Sequence, residues 1–256
     1  MKEVHATSLS FFLILCLFLP PMGQKKLLRF QQIKGFDHVL EYPEHMPGSW
    51  HDFFGRKAPL TLELACGRGE YTVGLAQLYP EQNFLGVDIK GNRIYLGAKK
   101  ALDLSLNNAK FLRTQIEMLA QYFAKDEVDE IWLTFPDPQL RTSKAKKRLT
   151  HPRFLRIYQQ LLKPQGVIHL KTDSPALYRF TLQVVEMYGL QLIESSENVY
   201  AATNLDPRLQ IKTHYEGLDI AQSNKIFYLR FGLPDSIPML DDELQQLLKQ
   251  TEQNEV

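Results

Sequence analysis

The stretch "ELACGRGE", Glu63 to Glu70, holds an acid and two glycines within seven residues, and "GVDIK" places Asp88 nineteen positions after Gly69. Gly67 and Gly69, between a strand and a helix, let the backbone turn tightly and approach a ligand closely. A dinucleotide fingerprint would need a further glycine three positions on, where Thr72 stands. A carboxylate at Asp88 can accept hydrogen bonds from both ribose hydroxyls of an adenosine. Glu63, at a strand end, would repel a pyrophosphate but suits a positively charged ligand. S-adenosyl-L-methionine carries a sulfonium and an ammonium group and no phosphate, so the set favours that cofactor over NAD.

A second constellation is "LTFPDPQLRTSKAKKRLT". Asp137 sits between Pro136 and Pro138 and is followed by Arg141, Lys144, Lys146, Lys147 and Arg148, five basic residues in eight positions. The prolines restrict the backbone around the acid and lower the cost of ordering it. Two readings fit: an ordinary turn before a solvated loop, or a loop contacting RNA phosphates beside an acid that reads a base. Charge distribution favours the second. The formal net charge is +1, yet nine Lys or Arg and no acid fall between Pro138 and Thr172, leaving 21 basic against 29 acidic residues elsewhere. A positive segment on an acidic body is a directed electrostatic feature.

Alternating strands and helices must position these groups. The pattern predicts strands at "LTLEL", "NFLGVD", Lys110 to Thr114, "VDEIWLTF" and "GVIHLKT". Helices are predicted over Glu70 to Tyr79, Gly91 to Leu106, Gln115 to Phe123, from Pro152 to a stop at Lys163-Pro164, and from Ser174-Pro175 to Gly189. Such alternation implies parallel pairing in an open doubly wound sheet, with ligands beyond the carboxyl ends of the strands. Trp50, Phe53 and Phe54 read as packing, and His169 and His214 as structural or hydrogen-bonding groups. Residues 22–59 read as a basic, helical segment, 60–233 as the ligand-binding domain, and 234–256 as an acidic tail. There Leu244, Leu247 and Leu248 recur at helical spacing, so the tail is expected to dock weakly or fray.

With 44% apolar and 23% charged residues, the chain is one large globular domain or two small ones. Cys16 and Cys66 offer no disulfide framework and the histidines no metal-ligand spacing, so a cytoplasmic, metal-free protein is expected. The apolar run "LSFFLILCLFL", Leu9 to Leu19, has the length of a signal-peptide core but ends in Pro20-Pro21 without a small-residue cleavage site. We expect Met22 to be the true start and residues 1–21 a mis-assigned extension; export or membrane anchoring is the rival reading.

The segments "LELACGRGEYTVGLA", "GVDIK", "FPDPQLRTSKAKKRLTHPRFL", "HLKTDS" and "THYE" resemble, in this order, the motifs of the bacterial tRNA (guanine-N7)-methyltransferase family. The resemblance covers about Gln24 to Gly232. It implies an α/β, Rossmann-like class I methyltransferase fold with a seven-stranded, mostly parallel sheet and helices on both faces. The implied reaction moves a methyl group from S-adenosyl-L-methionine to N7 of the variable-loop guanine, position 46, of tRNA. The resemblance makes Glu63 and Asp88 cofactor contacts beside Gly67 and Gly69, and Asp137 an active-site acid that also meets the cofactor. Arg141 becomes a substrate-binding position where the family often has lysine. Asp173 and the run Thr213, His214, Tyr215 and Glu216 are similar to the family's other substrate or active-site contacts. An adenine contact falls at Thr114 or Gln115. Ala65 replaces a usual glycine, which is tolerable if its φ is negative, and Gln139 replaces a tryptophan. Lys144, Lys146, Lys147 and Arg148 are the expected phosphate contacts. The implied partner is tRNA, with no membrane and no metal, and the protein a monomer or homodimer.

The chemistry suits these residues. Guanine N7 carries an in-plane lone pair and no proton, so alignment rather than a general base is required. The product is cationic; a carboxylate such as Asp137 would stabilise that charge and accept from guanine N1–H and the exocyclic amine. Two other classes fit parts of the sequence: a small-molecule methyltransferase without need of the basic loop, and an RNA-binding protein without cofactor.

Overall fold

The structure, a computed structural model, describes residues 22–254 apart from 219 and 221. The expected extension, residues 1–21, lies outside the described residues. The chain runs through α1 (Met22–Gln32), β1 (Val39–Glu41), α2 (Trp50–Phe54), β2 (Leu60–Leu64), α3 (Glu70–Leu78) and β3 (Asn83–Asp88). It continues with α4 (Gly91–Asp103), β4 (Ala109–Arg113), β5 (Val128–Thr134), α5 (Pro152–Gln159) and β6 (Leu162–Thr172). The last elements are α6 (Pro175–Met187), β7 (Gln191–Ser196), α7 (Pro207–Gln210), β8 (Phe227–Gly232) and α8 (Asp241–Asn254).

One sheet collects all eight strands in the order β1-β4-β3-β2-β5-β6-β8-β7. Its pairs are parallel except those that β8 makes with β6 and β7. Seven strands were expected; the eighth is β1, which pairs along the outer edge of β4 from Val39↔Phe111 to Glu41↔Arg113. Three residues are too few to show an alternating pattern, so only the tertiary partner defines this strand. Successive strand residues face opposite layers. Ile131 and Leu133 join Leu62, Leu85, Leu170 and Trp50 on one side, while Trp132 lies with Tyr71, Phe111 and Tyr228 on the other. As expected, Trp50 and Phe54 are buried, and Phe53 packs against them.

Three local expectations change. The helix predicted over Gln115 to Phe123 is a 3-10 turn, Ile116–Gln121, because Leu119 and Tyr122, three apart, both turn into the core. The strand expected from Gly166 begins at Leu162 and runs through Pro164. Pairing jumps there from Val128↔Leu162 to Glu130↔Val167, and this bulge accommodates a residue without an N–H. The acidic tail docks. Leu244 is fully buried, Asp241 accepts from both Arg156 guanidinium nitrogens at 2.6 and 3.0 Å, and the Tyr188 hydroxyl donates to it at 3.1 Å.

Candidate active site

Along the carboxyl edge of the sheet, strand order sets a row of groups drawn from separate motifs. Thr114 follows β4, Asp88 ends β3, the glycine loop follows β2, Asp137 follows β5 and Asp173 follows β6.

The glycine loop has the backbone its sequence requires. Gly67 and Gly69 adopt φ of 55° and 67°, and a Cβ on Gly69 would stand 2.6 Å from the Phe111 ring. Asp88 shapes the loop, its Oδ2 accepting from the Gly67 N–H at 2.9 Å and its Oδ1 from the Lys90 N–H at 2.7 Å. Ala65 differs from expectation: its φ is 56°, because the turn out of β2 needs a left-handed residue there, at a cost of roughly 1 kcal/mol.

Glu63 is placed beneath the loop rather than on its surface. It is 3% exposed, and its carboxylate accepts from the Thr72 N–H at 2.7 Å and from the Thr72 and Thr134 hydroxyls at 2.5 and 2.7 Å. It thereby satisfies an N–H left free at the start of α3. Burial outweighs these donors and pushes the carboxyl up to about 7. Glu63 thus supports the start of α3 and the glycine loop from beneath.

By the ends of β2, β3 and β4 lies a cleft of about 410 Å³ whose lining includes Ala65, Asp88, Ile89, Thr114, Gln115, Lys147 and Arg153. Ile89 is 45% exposed, an apolar wall beside a carboxylate. The Thr114 hydroxyl is buried without a hydrogen-bond partner, whereas Gln115 is exposed. Of the two positions weighed for an adenine contact, Thr114 thus carries a buried hydroxyl and Gln115 an exposed side chain. An adenosine suits this donor set: hydroxyls for Asp88, a polar edge for Thr114 and an aromatic face for Ile89. Among the described residues, no group of His, Cys, Asp and Glu is arranged to hold a metal ion.

Asp137 is exposed, and its Oδ1 accepts the Gln139 N–H at 3.0 Å. The flanking Phe135 and Gln139 both have φ of 47°, strain of the kind concentrated at functional sites. Arg141, Lys144, Lys146 and Lys147 are exposed, on and just before the turn Thr142–Lys147, whose Ala145 is buried in the same core as Leu244 of α8. Arg148, expected as a phosphate contact, is instead 5% exposed. Its guanidinium donates to the carbonyls of Pro138, Gln139 and Leu140 at 3.1–3.3 Å and lies 4.4 Å from the centre of the Phe180 ring. It is an internal brace of the acid's loop, because three carbonyls with no strand partner turn toward it.

Across the glycine loop, the Tyr215 ring lies 3.6 Å from where a Gly67 Cβ would be, and Arg93 stacks on it at 5.6 Å. Thr213 accepts the Glu216 N–H at 3.2 Å, and His214 is exposed. Glu216, expected to touch substrate, is internal. One carboxylate oxygen accepts from Lys171 Nζ at 2.9 Å and the other from the Tyr200 hydroxyl. Lys171 is fully buried in β6 and also donates to the Leu209 and Ile211 carbonyls at 2.8 and 2.9 Å. Burial lowers its pKa, and Glu216 opposes that. Sequence reading passed over Lys171; its place in the apolar run of β6, after Ile168 and Leu170, was the available signal. Asp173 is half-buried, and its backbone carbonyl accepts the Ser223 hydroxyl at 2.8 Å. His169 is structural as expected, fully buried, stacked on Trp132 at 3.9 Å and bonded to the Tyr228 hydroxyl at 2.7 Å.

A sheet of this order with a glycine loop after β2 is the fold of a methyltransferase, and the methyltransferase family Methyltransf_4 matches residues 57–229. The fold is shared with the 16S rRNA methyltransferase KamB, with a TM-score of 0.57 at 13% identity over 75% of this chain and 96% of that one. More particularly, the chain belongs to the tRNA (guanine-N(7)-)-methyltransferase family. It is 47% identical to the member from Porphyromonas gingivalis, over 77% of this chain and 85% of the relative. With the member from Bacteroides thetaiotaomicron identity is 45%, over 83% and 87% respectively.

Proposed function

We propose that this protein transfers the methyl group of S-adenosyl-L-methionine to N7 of the guanine at position 46, in the variable loop of tRNA. The observation that carries the reading is the placement of Asp137. It stands exposed on a strained, braced loop next to the glycine loop, with Arg141, Lys144, Lys146 and Lys147 exposed beyond it. A small-molecule substrate would give those cations no task. When bound, the cofactor supplies an electrophilic methyl group on a cationic sulfur.

The chain's residues do the rest. Asp88 holds the ribose and Thr114 the adenine edge, while Gly67 and Gly69 let the backbone approach the remainder of the cofactor. Asp137 accepts from guanine N1–H and the exocyclic amine, which orients N7 and offsets the positive charge that arrives on the base. Arg141, Asp173, Thr213, His214 and Tyr215 border the base, and the exposed lysines hold phosphates. Action on tRNA fits a cytoplasmic protein. Among the described residues no helix is long and apolar enough to cross a membrane.

The test is to incubate protein expressed from Met22 with unmodified tRNA and S-adenosyl-L-methionine, then digest the RNA and identify its nucleosides by mass spectrometry. 7-Methylguanosine is expected. Its absence from protein that binds S-adenosylhomocysteine would move the substrate to the small-molecule class.

A further inference from the structure

Leu140 lies three residues from Asp137 and next to Arg141, and it is 68% exposed. A lone exposed leucine is ordinary. This one is held fast: its carbonyl accepts from Arg148 Nη2 at 3.3 Å and its neighbour Gln139 from the same nitrogen at 3.1 Å. Arg148 is itself buried against Phe180, and Gln139 is fixed in the left-handed region, its N–H on Asp137. An apolar side chain is thus presented to water by a rigid backbone, between the acid that reads the base and the cations that hold the phosphates. A guanine in a folded RNA is stacked on its neighbours, and enzymes that act on a base take it out of the stack. Proteins that part base steps do so with apolar wedges such as leucine.

We propose that Leu140 is that wedge: it packs against the base face uncovered when the target guanine leaves its stack, and so keeps the guanine at Asp137. The flanking cations select RNA as the occupant, since a hydrophobic protein partner would have to bury Arg141 and Asp137 beside the leucine. This inference rests on the tRNA reading above and adds a specificity contact to it.

The experiment uses a tRNA transcript with 2-aminopurine beside the target guanine, with S-adenosylhomocysteine for fluorescence and S-adenosyl-L-methionine for single-turnover methylation. The unsubstituted protein should raise the fluorescence on binding. Leu140→Ser should abolish most of that rise and slow methylation about tenfold or more, while its tRNA Kd and salt dependence stay within about threefold. Leu140→Met, which restores an apolar side chain, should recover both. A wild-type fluorescence rise in Leu140→Ser, with or without a slower rate, would overturn the wedge. No rise with the unsubstituted protein would overturn it too, while 7-methylguanosine formed in the same reaction would leave the functional reading intact. Absence of 7-methylguanosine from the unsubstituted protein would overturn that reading, and the wedge with it.

Discussion

At the scale of single residues, two carboxyl groups, one in β2 and one in the loop after β5, have opposite environments and opposite tasks. Asp137 is exposed and meets the base. Asp137→Asn replaces an acceptor oxygen with a donor facing guanine N1–H, and should slow single-turnover methylation about a hundredfold. Calorimetry with S-adenosylhomocysteine should show cofactor affinity nearly unchanged; full turnover would remove Asp137 from the mechanism. Glu63 is buried and held near 7 against an ordinary 4.5. As pH rises, the unfolded chain releases this proton first, so the native state binds more protons than the unfolded one between those values. The stabilisation is therefore fully present below about 4.5 and is lost by about 7, on the order of 3 kcal/mol. Urea unfolding at pH 5 and pH 8 should show Glu63→Gln gaining on the parent at the higher pH; an identical pH dependence in both would contradict the burial argument. Both residues stood out in the sequence because each lies near the carboxyl end of a predicted strand, one ahead of a glycine loop and the other between prolines. The sign of φ at Ala65 was not, since a turn's handedness depends on where the next element must start.

At the scale of elements, the basic loop divides into a face and a brace. Lys144, Lys146 and Lys147 are the face, and replacing all three with alanine should weaken tRNA binding and reduce the slope of log K against log salt by about 2 to 3. An unchanged slope, measured by filter binding over a salt series, would show that the three lysines hold no phosphates. Arg148 is the brace, and composition alone could not separate it from its neighbours: a run of cations reads as one surface until packing turns one member inward. Lys171 illustrates the same limit. A lysine in a buried strand is visible in the sequence, but its partner Glu216 lies 45 residues later. The order of strand and helix, by contrast, was readable from the alternation, and with it the carboxyl edge at which open parallel sheets bind ligands.

At the scale of the whole molecule, the buried Lys171–Glu216 pair joins the sheet to the segment that arches over the glycine loop. Lys171→Met would leave a carboxylate buried without its cation, and should cost about 3–5 kcal/mol, read by urea unfolding. Lys171→Met with Glu216→Gln should recover much of that loss. The eighth strand and the docked tail belong to this scale too: β1 carries no local pattern, the leucine spacing of α8 marks a helix but not where it docks, and each is placed by the surface that receives it. The position of β8 between β6 and β7 also has a bearing on biosynthesis. As the chain emerges, the parallel strands up to β6 can assemble in order, but the outer edge of β6 gains no partner until Phe227–Gly232 appears, and β7 waits beside it. A nascent chain therefore carries an open, largely apolar strand edge through the last stretch of translation, and that interval is when it is most exposed to pairing with the wrong strand.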